Sequence, residues 1–222
     1  MQRIIQDIQR APREMIEAFA TLAAATVYES NQQSGAMDHT IKPNVWGQRM
    51  CGSAVTVRCF PADNLMLHTA IAIAQPGDVI VAEVGGLLDA GYWGEITTVA
   101  AQARGVAGLV IAGGTRDHEA IAQRGFPVWS AAICMRATVK KNLGWVNHPV
   151  SVGGVEVHPG DLVLGDDDGV VVVPQARLTD VLVRAQAKEA SEAEVMRRLQ
   201  EGELTLDILG FRQSLTDLGV ML

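Results

Sequence analysis

Between residues 61 and 133 the apolar pattern switches repeatedly between helical and strand periods, with glycines and prolines at the joins. Residues 61–78 (PADNLMLHTAIAIAQPGD) read as a helix capped near Asp63 or Asn64 and ended by Pro76-Gly77. Residues 78–84 (DVIVAEV) are a short continuous apolar run, the pattern of a buried strand. A glycine-rich connection at 85–94 leads into a helix at 95–105, stopped by Gly105. A strand at 106–114, a short helix at 117–125 and a strand at 126–133 follow. Strands and helices alternating with short links predict parallel strands joined by helical crossovers.

The flanks differ in character. Residues 12–29 predict one or two helices opened by Pro12, residues 31–43 a loop closed by Pro43, and residues 51–60 an alternating strand. Residues 144–174 are almost all strand and turn, with turn signals at Gly153-Gly154, Pro159-Gly160 and Asp168-Gly169. After Pro174 the chain turns helical, with apolar residues along one face of 176–201. No linker interrupts this order. The expectation is one domain over residues 1–222: an α/β half, a mixed β core and a C-terminal helical tail, 176–222, that packs on a neighbouring subunit.

Composition narrows the class. With 222 residues, 48% hydrophobic and 19% charged, the chain can bury a sizeable core. The net charge of −7 without any Lys/Arg cluster argues against nucleic acid as a partner. No apolar run approaches the roughly 20 residues that span a membrane. The opening MQRIIQDIQRAP lacks the continuous apolar stretch of a secretory signal. Cys51, Cys59 and Cys134 form no C-x-x-C pair and read as reduced structural thiols. A cytoplasmic protein is expected.

The usual nucleotide loops, the nucleophile elbow and local zinc pairings of the five histidines are absent. GDDDG at 165–169 lacks the spacing of a calcium loop and reads as a hairpin turn. Two glycine-lined junctions remain. One lies after the strand at 78–84 and feeds the helix beginning near Glu95. The other is GLVIAGGTRD, residues 108–117, where a strand ends in Gly113-Gly114 and Arg116-Asp117. In parallel α/β folds ligands gather at the carboxyl ends of strands, so the two junctions are candidate walls of one cleft. Glu95 and Asp117 are hard oxygen donors suited to Mg²⁺ or Mn²⁺. Arg116 offers a planar fork for a carboxylate or enolate oxygen. The N–H groups of Ile96 and Thr97, in a first helical turn, have no intrahelical partner and suit an anion. The competing reading is a solvated Arg-Asp turn, with glycines serving only backbone geometry.

The chain resembles the RraA-like family, which includes class II 4-hydroxy-4-methyl-2-oxoglutarate and 4-carboxy-4-hydroxy-2-oxoadipate aldolases. Those enzymes have an acidic residue, twenty intervening residues and then Arg-Asp, and Glu95 with Arg116-Asp117 reproduces that spacing. TVYES with GAMDHTIKP, PGDVIVAE, GDDDGVVVVP and RRLQEGELTLDILGFRQSL extend the likeness over most of the chain. The resemblance implies an α/β/β/α sandwich similar to the swivelling phosphohistidine domain, assembled as trimers or hexamers with sites between subunits. It implies Mg²⁺ or Mn²⁺ on Asp117, with Glu95 holding a metal-bound water. It implies Arg116 stabilising a pyruvate enolate, and Gly94, Ile96 and Thr97 at the substrate carboxylate. A glutamate of a neighbouring subunit, Glu189 or Glu192, would complete the site. Gly113 and Gly114 then read as clearance for substrate and metal. The implied reaction cleaves a 4-hydroxy-2-oxo diacid to pyruvate, with oxaloacetate decarboxylation as a side activity. His68 and His118 are candidate bases by residue type alone. The characterised aldolases have aspartate where this chain has Glu95. The alternative is a regulatory protein like the family's namesake, which inhibits an RNA-degrading endonuclease, RNase E, by protein contact.

Overall fold

The computed structural model describes residues 2–220. The elements run α1 (Arg13–Phe19), α2 (Ala24–Ser30), β1 (Lys42–Pro43), β2 (Met50–Arg58), α3 (Leu65–Ile73), β3 (Val79–Glu83), β4 (Gly91–Trp93), α4 (Glu95–Ala103), β5 (Gly108–Thr115), α5 (His118–Gln123) and β6 (Val128–Ile133). They continue with β7 (Trp145–Val146), β8 (Val150–Val152), β9 (Val155–Val157), β10 (Leu162–Gly165), β11 (Val170–Val173), α6 (Leu178–Gln200), α7 (Thr205–Ile208) and α8 (Phe211–Asp217).

Strands β2, β3, β5 and β6 are parallel neighbours, as the alternation predicts. The nine-stranded sheet runs β1-β6-β5-β3-β2-β10-β11, with β4 on β5 and β7 on β2. β2 is its seam. Met50–Ser53 pair antiparallel with β10, and Ala54–Arg58 pair parallel with β3. One strand therefore belongs to both halves, and the β8-β9 hairpin stands apart.

The strand period of two sorts apolar side chains into three cores. Val55, Val57, Ile80, Ala82, Leu109 and Ile111 point outward under α3, α4 and α5. Val79, Val81, Val110, Val163, Val170 and Val172 point inward, around Trp129. Leu162, Leu164, Val171 and Val173 face α1, α2 and the start of α6. Helices α3, α4 and α5 thus cover one side of a nearly closed mixed sheet, and α1, α2 and the start of α6 cover another. Burying each such aliphatic side chain contributes about 1.5–3 kcal/mol.

Some boundaries differ from the pattern. The helix predicted over 61–78 ends at Ile73. Asp78 Oδ2 accepts the Gln75 N–H at 2.7 Å, and Arg104 takes the Ala72 and Ala74 carbonyls. Pro76 also disfavours helix at Gln75. The connection at 85–94 contains a fully buried three-residue strand, β4, too short to announce a period. The expected hairpin at GDDDG is present, and its Asp166 carboxylate is taken by the N–H groups of Ala24 and Asp168. Beyond Ala185 no described residue of α6 is fully buried, and Leu204, Leu209, Phe211 and Leu218 are exposed. No helix among the described residues is long and apolar enough to cross a membrane.

Candidate functional site

Three segments meet at the carboxyl end of β5. Arg116 N–H donates to Trp93 O at 2.8 Å, pinning the exit of β5 against β4. Gly94 then caps α4, and Thr97 Oγ1 closes on Gly94, accepting from its N–H at 3.0 Å and donating to its carbonyl at 2.8 Å. The Glu95 N–H donates to Asp117 Oδ2 at 3.0 Å. The N–H groups of Ile96 and Thr97 find no protein partner among the described residues. This contact is what makes a twenty-residue spacing meaningful: it brings the start of α4 and the end of β5 together.

A cavity of about 280 Å³ opens there, lined by Arg116, Asp117, Gly94, Ile96, Thr97, His68 and Lys140 among others. Arg116 is half-buried, and its closest anionic neighbour is Asp117 Oδ2, 3.6 Å from Nε. Its terminal nitrogens make no hydrogen bond among the described residues. Asp117 sits at φ 55°, ψ 37°, the left-handed conformation that side chains other than Asn and Asp adopt least readily. That twist turns the chain from β5 into α5.

The glycines act differently from the expectation. A Cβ on Gly113 would meet Val84 Cγ2 at 2.7 Å, and one on Gly114 would meet the Ala90 and Leu88 carbonyls at 2.5 and 2.8 Å. Their clearance is for the chain crossing at 84–92, not for substrate or metal. The glycine that makes room in the cavity is Gly94, whose Cβ would lie 2.4 Å from Asp117 Oδ2 and 3.1 Å from Arg116 Cγ.

Other cavity residues escaped the sequence reading. Asn64 donates to Tyr92 O at 2.9 Å, and Tyr92 OH accepts the Ala62 N–H at 2.8 Å, tying the start of α3 to β4. Asn64 Oδ1 and His68 Nε2 are both buried without a protein partner. Burial, and then the nearby Lys140 ammonium, hold His68 below the ordinary imidazole pKa, so it favours the neutral form. Lys140 arrives on the segment after β6. Asp63 Oδ2 accepts the N–H groups of Lys141 and Asn142 at 2.7 Å each, and Oδ1 accepts that of Leu65 at 2.8 Å. Contacts across about eighty residues leave no local signature. His118, the other candidate base, lines a separate shallow concavity with Glu95 and Glu119, and Asp117 borders both.

Glu95 is turned to that second concavity, where Arg124 Nη2 lies 2.6 Å from Oε1. Glu189 and Glu192 stand on α6, on the opposite helical layer from α4, and Lys188 pairs with Glu192 at 2.9 Å. Neither belongs to this chain's own cavity. No cluster of three or more His, Cys, Asp or Glu able to hold a metal occurs among the described residues. The available donor is Asp117, whose Oδ1 has no protein partner among them. One carboxylate suits a Mg²⁺ or Mn²⁺ ion that keeps most of its waters. It does not suit zinc, which draws three or four protein ligands.

Residues 20–172 match the family described as RraA-like, Aldolase/RraA. A Halalkalibacterium halodurans protein, named as a candidate 4-hydroxy-4-methyl-2-oxoglutarate aldolase, is 31% identical over 199 residues, covering 90% of this chain and 95% of its own. The crystal structure of an uncharacterised protein from Pseudomonas syringae pv. tomato aligns with a TM-score of 0.78 at 28% identity, over 89% of this chain and 97% of that one. Streptomyces coelicolor RraAS2, described as an unusual member of the RNase ES inhibitor RraA protein family, aligns with a TM-score of 0.78 at 26% identity, over 85% of this chain and all of that one.

Proposed function

This chain belongs to the RraA-like family, and from that premise we propose that it is a divalent-metal-dependent aldolase cleaving a 4-hydroxy-2-oxo diacid to pyruvate and a second oxo acid. One observation carries the reading: a single cavity holds a guanidinium whose terminal nitrogens are free, a carboxylate oxygen without a partner among the described residues and two free amides at a helix start. The guanidinium and the amides match an anionic oxo acid, and the carboxylate oxygen matches the divalent ion.

In this mechanism the Ile96 and Thr97 amides hold the carboxylate beside the oxo group. Arg116 faces the C2 oxygen, and Lys140 offers a cation to the far carboxylate. Neutral His68 takes the proton of the C4 hydroxyl. The C3–C4 bond breaks, C4 becomes the carbonyl of the departing oxo acid, and the bond's electrons form the C2–C3 enolate. Arg116 balances the charge that develops on the C2 oxygen. A proton delivered to C3 then yields pyruvate. Asp117 would hold a Mg²⁺ or Mn²⁺ ion, with Glu95 as the second carboxylate, and the ion would supply Lewis acidity at the oxo group when bound. Loss of CO₂ from oxaloacetate leads to the same enolate and is the expected side activity. A neighbouring copy in a trimer or hexamer supplies Glu189 or Glu192, through the tail whose apolar side chains are exposed.

The test is a coupled pyruvate assay over 4-hydroxy-2-oxo diacids and oxaloacetate, with and without chelator. Turnover is expected to need Mg²⁺ or Mn²⁺ and to fall about 10²–10³-fold in Arg116→Ala, the range for removing one oxyanion-stabilising donor. Metal-independent turnover, or none across the panel, refutes it. Likeness to RraAS2 supports a second reading, a regulator that binds an RNA-degrading endonuclease. Endonuclease capture that survives Arg116→Ala and Asp117→Ala, in a protein without turnover, would favour it.

A further inference from the structure

The Glu95 carboxylate is already engaged. Its Oε1 accepts from both Nε and Nη2 of Arg124, at 3.0 and 2.6 Å. Arg124 closes α5 and Glu95 opens α4, while Gln102 Nε2, in the last turn of α4, donates to the Arg124 carbonyl at 3.0 Å, so the end of α5 is held to α4 at two places. The backbone of Glu95 meanwhile serves the other side of the wall, donating its N–H to Asp117 Oδ2. The residue is thus divided: its amide orients the cavity carboxylate, while its charge is neutralised outside the cavity.

Counting charge sharpens the point. Arg116 offsets Asp117, Arg124 offsets Glu95, and the four side chains sum to zero. A divalent ion approaching Asp117 meets one carboxylate beside one guanidinium. The Glu95 carboxylate becomes available to it only by leaving Arg124. Both members of the pair are partly exposed, with side-chain exposures of 39% and 43%, so water can replace either partner and exchange is open.

We propose that Arg124 is a positioning residue that withholds the Glu95 carboxylate from a divalent ion at Asp117. Metal binding then transfers Glu95 from Arg124 to the ion's hydration shell, and Arg124 sets how much metal the site requires. The inference rests on the metal-dependent reading above.

Mn²⁺ binding, followed by the electron paramagnetic resonance signal of the free ion, tests it without reference to turnover. Arg124→Gln is expected to tighten the Mn²⁺ Kd about two- to fivefold, the range for removing one competing exposed ion pair. Arg124→Lys, which keeps a cation in reach, restores weaker binding. In a Glu95→Gln background the Arg124→Gln change has no effect, because the withheld group is gone. Arg124→Met is measured alongside, and thermal melts establish that each variant is folded. Weaker Mn²⁺ binding in Arg124→Gln overturns the inference, since Arg124 would then support the site. Equal tightening in both backgrounds also overturns it, since the guanidinium would act only as a distant charge. If Mn²⁺ binds and Arg124 is silent, this inference alone fails. If Mn²⁺ binds neither the wild type nor any variant, the metal dependence proposed above fails with it.

Discussion

Adding one methyl group at position 94 separates activity from stability. The backbone there is extended, at φ −151° and ψ −165°, which alanine adopts without strain. The obstacle is steric: the new Cβ would stand 2.4 Å from Asp117 Oδ2, 3.1 Å from Arg116 Cγ and 3.2 Å from Arg116 Nε. Ordinary van der Waals contact lies about 1 Å further out, so the carboxylate must move by about that much. Moving it breaks the 3.0 Å hydrogen bond from the Glu95 N–H. The closest obstructing atom is the end of the partly exposed Asp117 side chain, and the Arg116 contacts need only a few tenths of an ångström, so the fold relaxes for about 1 kcal/mol or less, a Tm change under about 4 °C for a chain of this length. A displacement of about 1 Å in the reacting geometry reduces rate about 10²-fold. Gly94→Ala is therefore expected to lower kcat/KM for pyruvate release about 10²-fold while melting near the wild type. Gly114→Ala is the control, because its Cβ would strike two backbone carbonyls. Such overpacking costs about 1–3 kcal/mol, so this variant melts about 2–12 °C lower. Wild-type kcat/KM in Gly94→Ala, or a loss of Tm equal to that of Gly114→Ala, refutes the reasoning.

If His68 is the base, kcat/KM loses activity toward acid with a limb below about 6.5, the ordinary imidazole value, because burial and Lys140 both disfavour the charged ring. His68→Gln should erase that limb and Lys140→Met should move it upward; an unmoved limb in both variants excludes His68. Asp63 is a further test point. Burial alone would raise its pKa, but the N–H donors of Lys141, Leu65 and Asn142 outweigh it and hold the carboxyl below its usual value. A depressed folded pKa stabilises the protein above the unfolded value of about 4, and this contribution is lost as pH falls through the folded one. Asp63→Asn is expected to lower stability at pH 7 by about 1–3 kcal/mol, to flatten the acid limb of urea-unfolding free energy and, by freeing Lys140, to raise KM. An unchanged urea midpoint with unchanged KM refutes the role assigned to Asp63.

The parallel half was readable because its strands are short apolar segments separated by turn signals, and so was the approach of the two glycine-lined junctions; the Glu95 amide meets Asp117, but its carboxylate turns away to Arg124. Three features were not readable. β4 spans only Gly91–Trp93, and its place is set by pairing with Gly114 and Thr115 rather than by any period of its own. The dual pairing of β2 is a matter of register, which the apolar pattern of one strand does not contain. Lys140 and His68 enter the cavity through Asp63, Asn64 and Tyr92, contacts between residues remote in the chain. The roles of Gly113 and Gly114 are hidden for the same reason: what a missing Cβ makes room for depends on which distant segment passes nearby.

The left-handed backbone at Asp117 constrains how this sequence can drift. A side chain held there costs about 1 kcal/mol relative to glycine, and asparagine tolerates it nearly as well as aspartate. A lineage released from chemistry has an open route to Gly or Asn at this position, which relieves strain or keeps the turn while discarding the charge. Routes to Val, Ile or Thr are closed by the fold itself. On the metal-dependent reading proposed above, aspartate at this position marks continued use of the cavity, and glycine or asparagine marks its retirement into a scaffold.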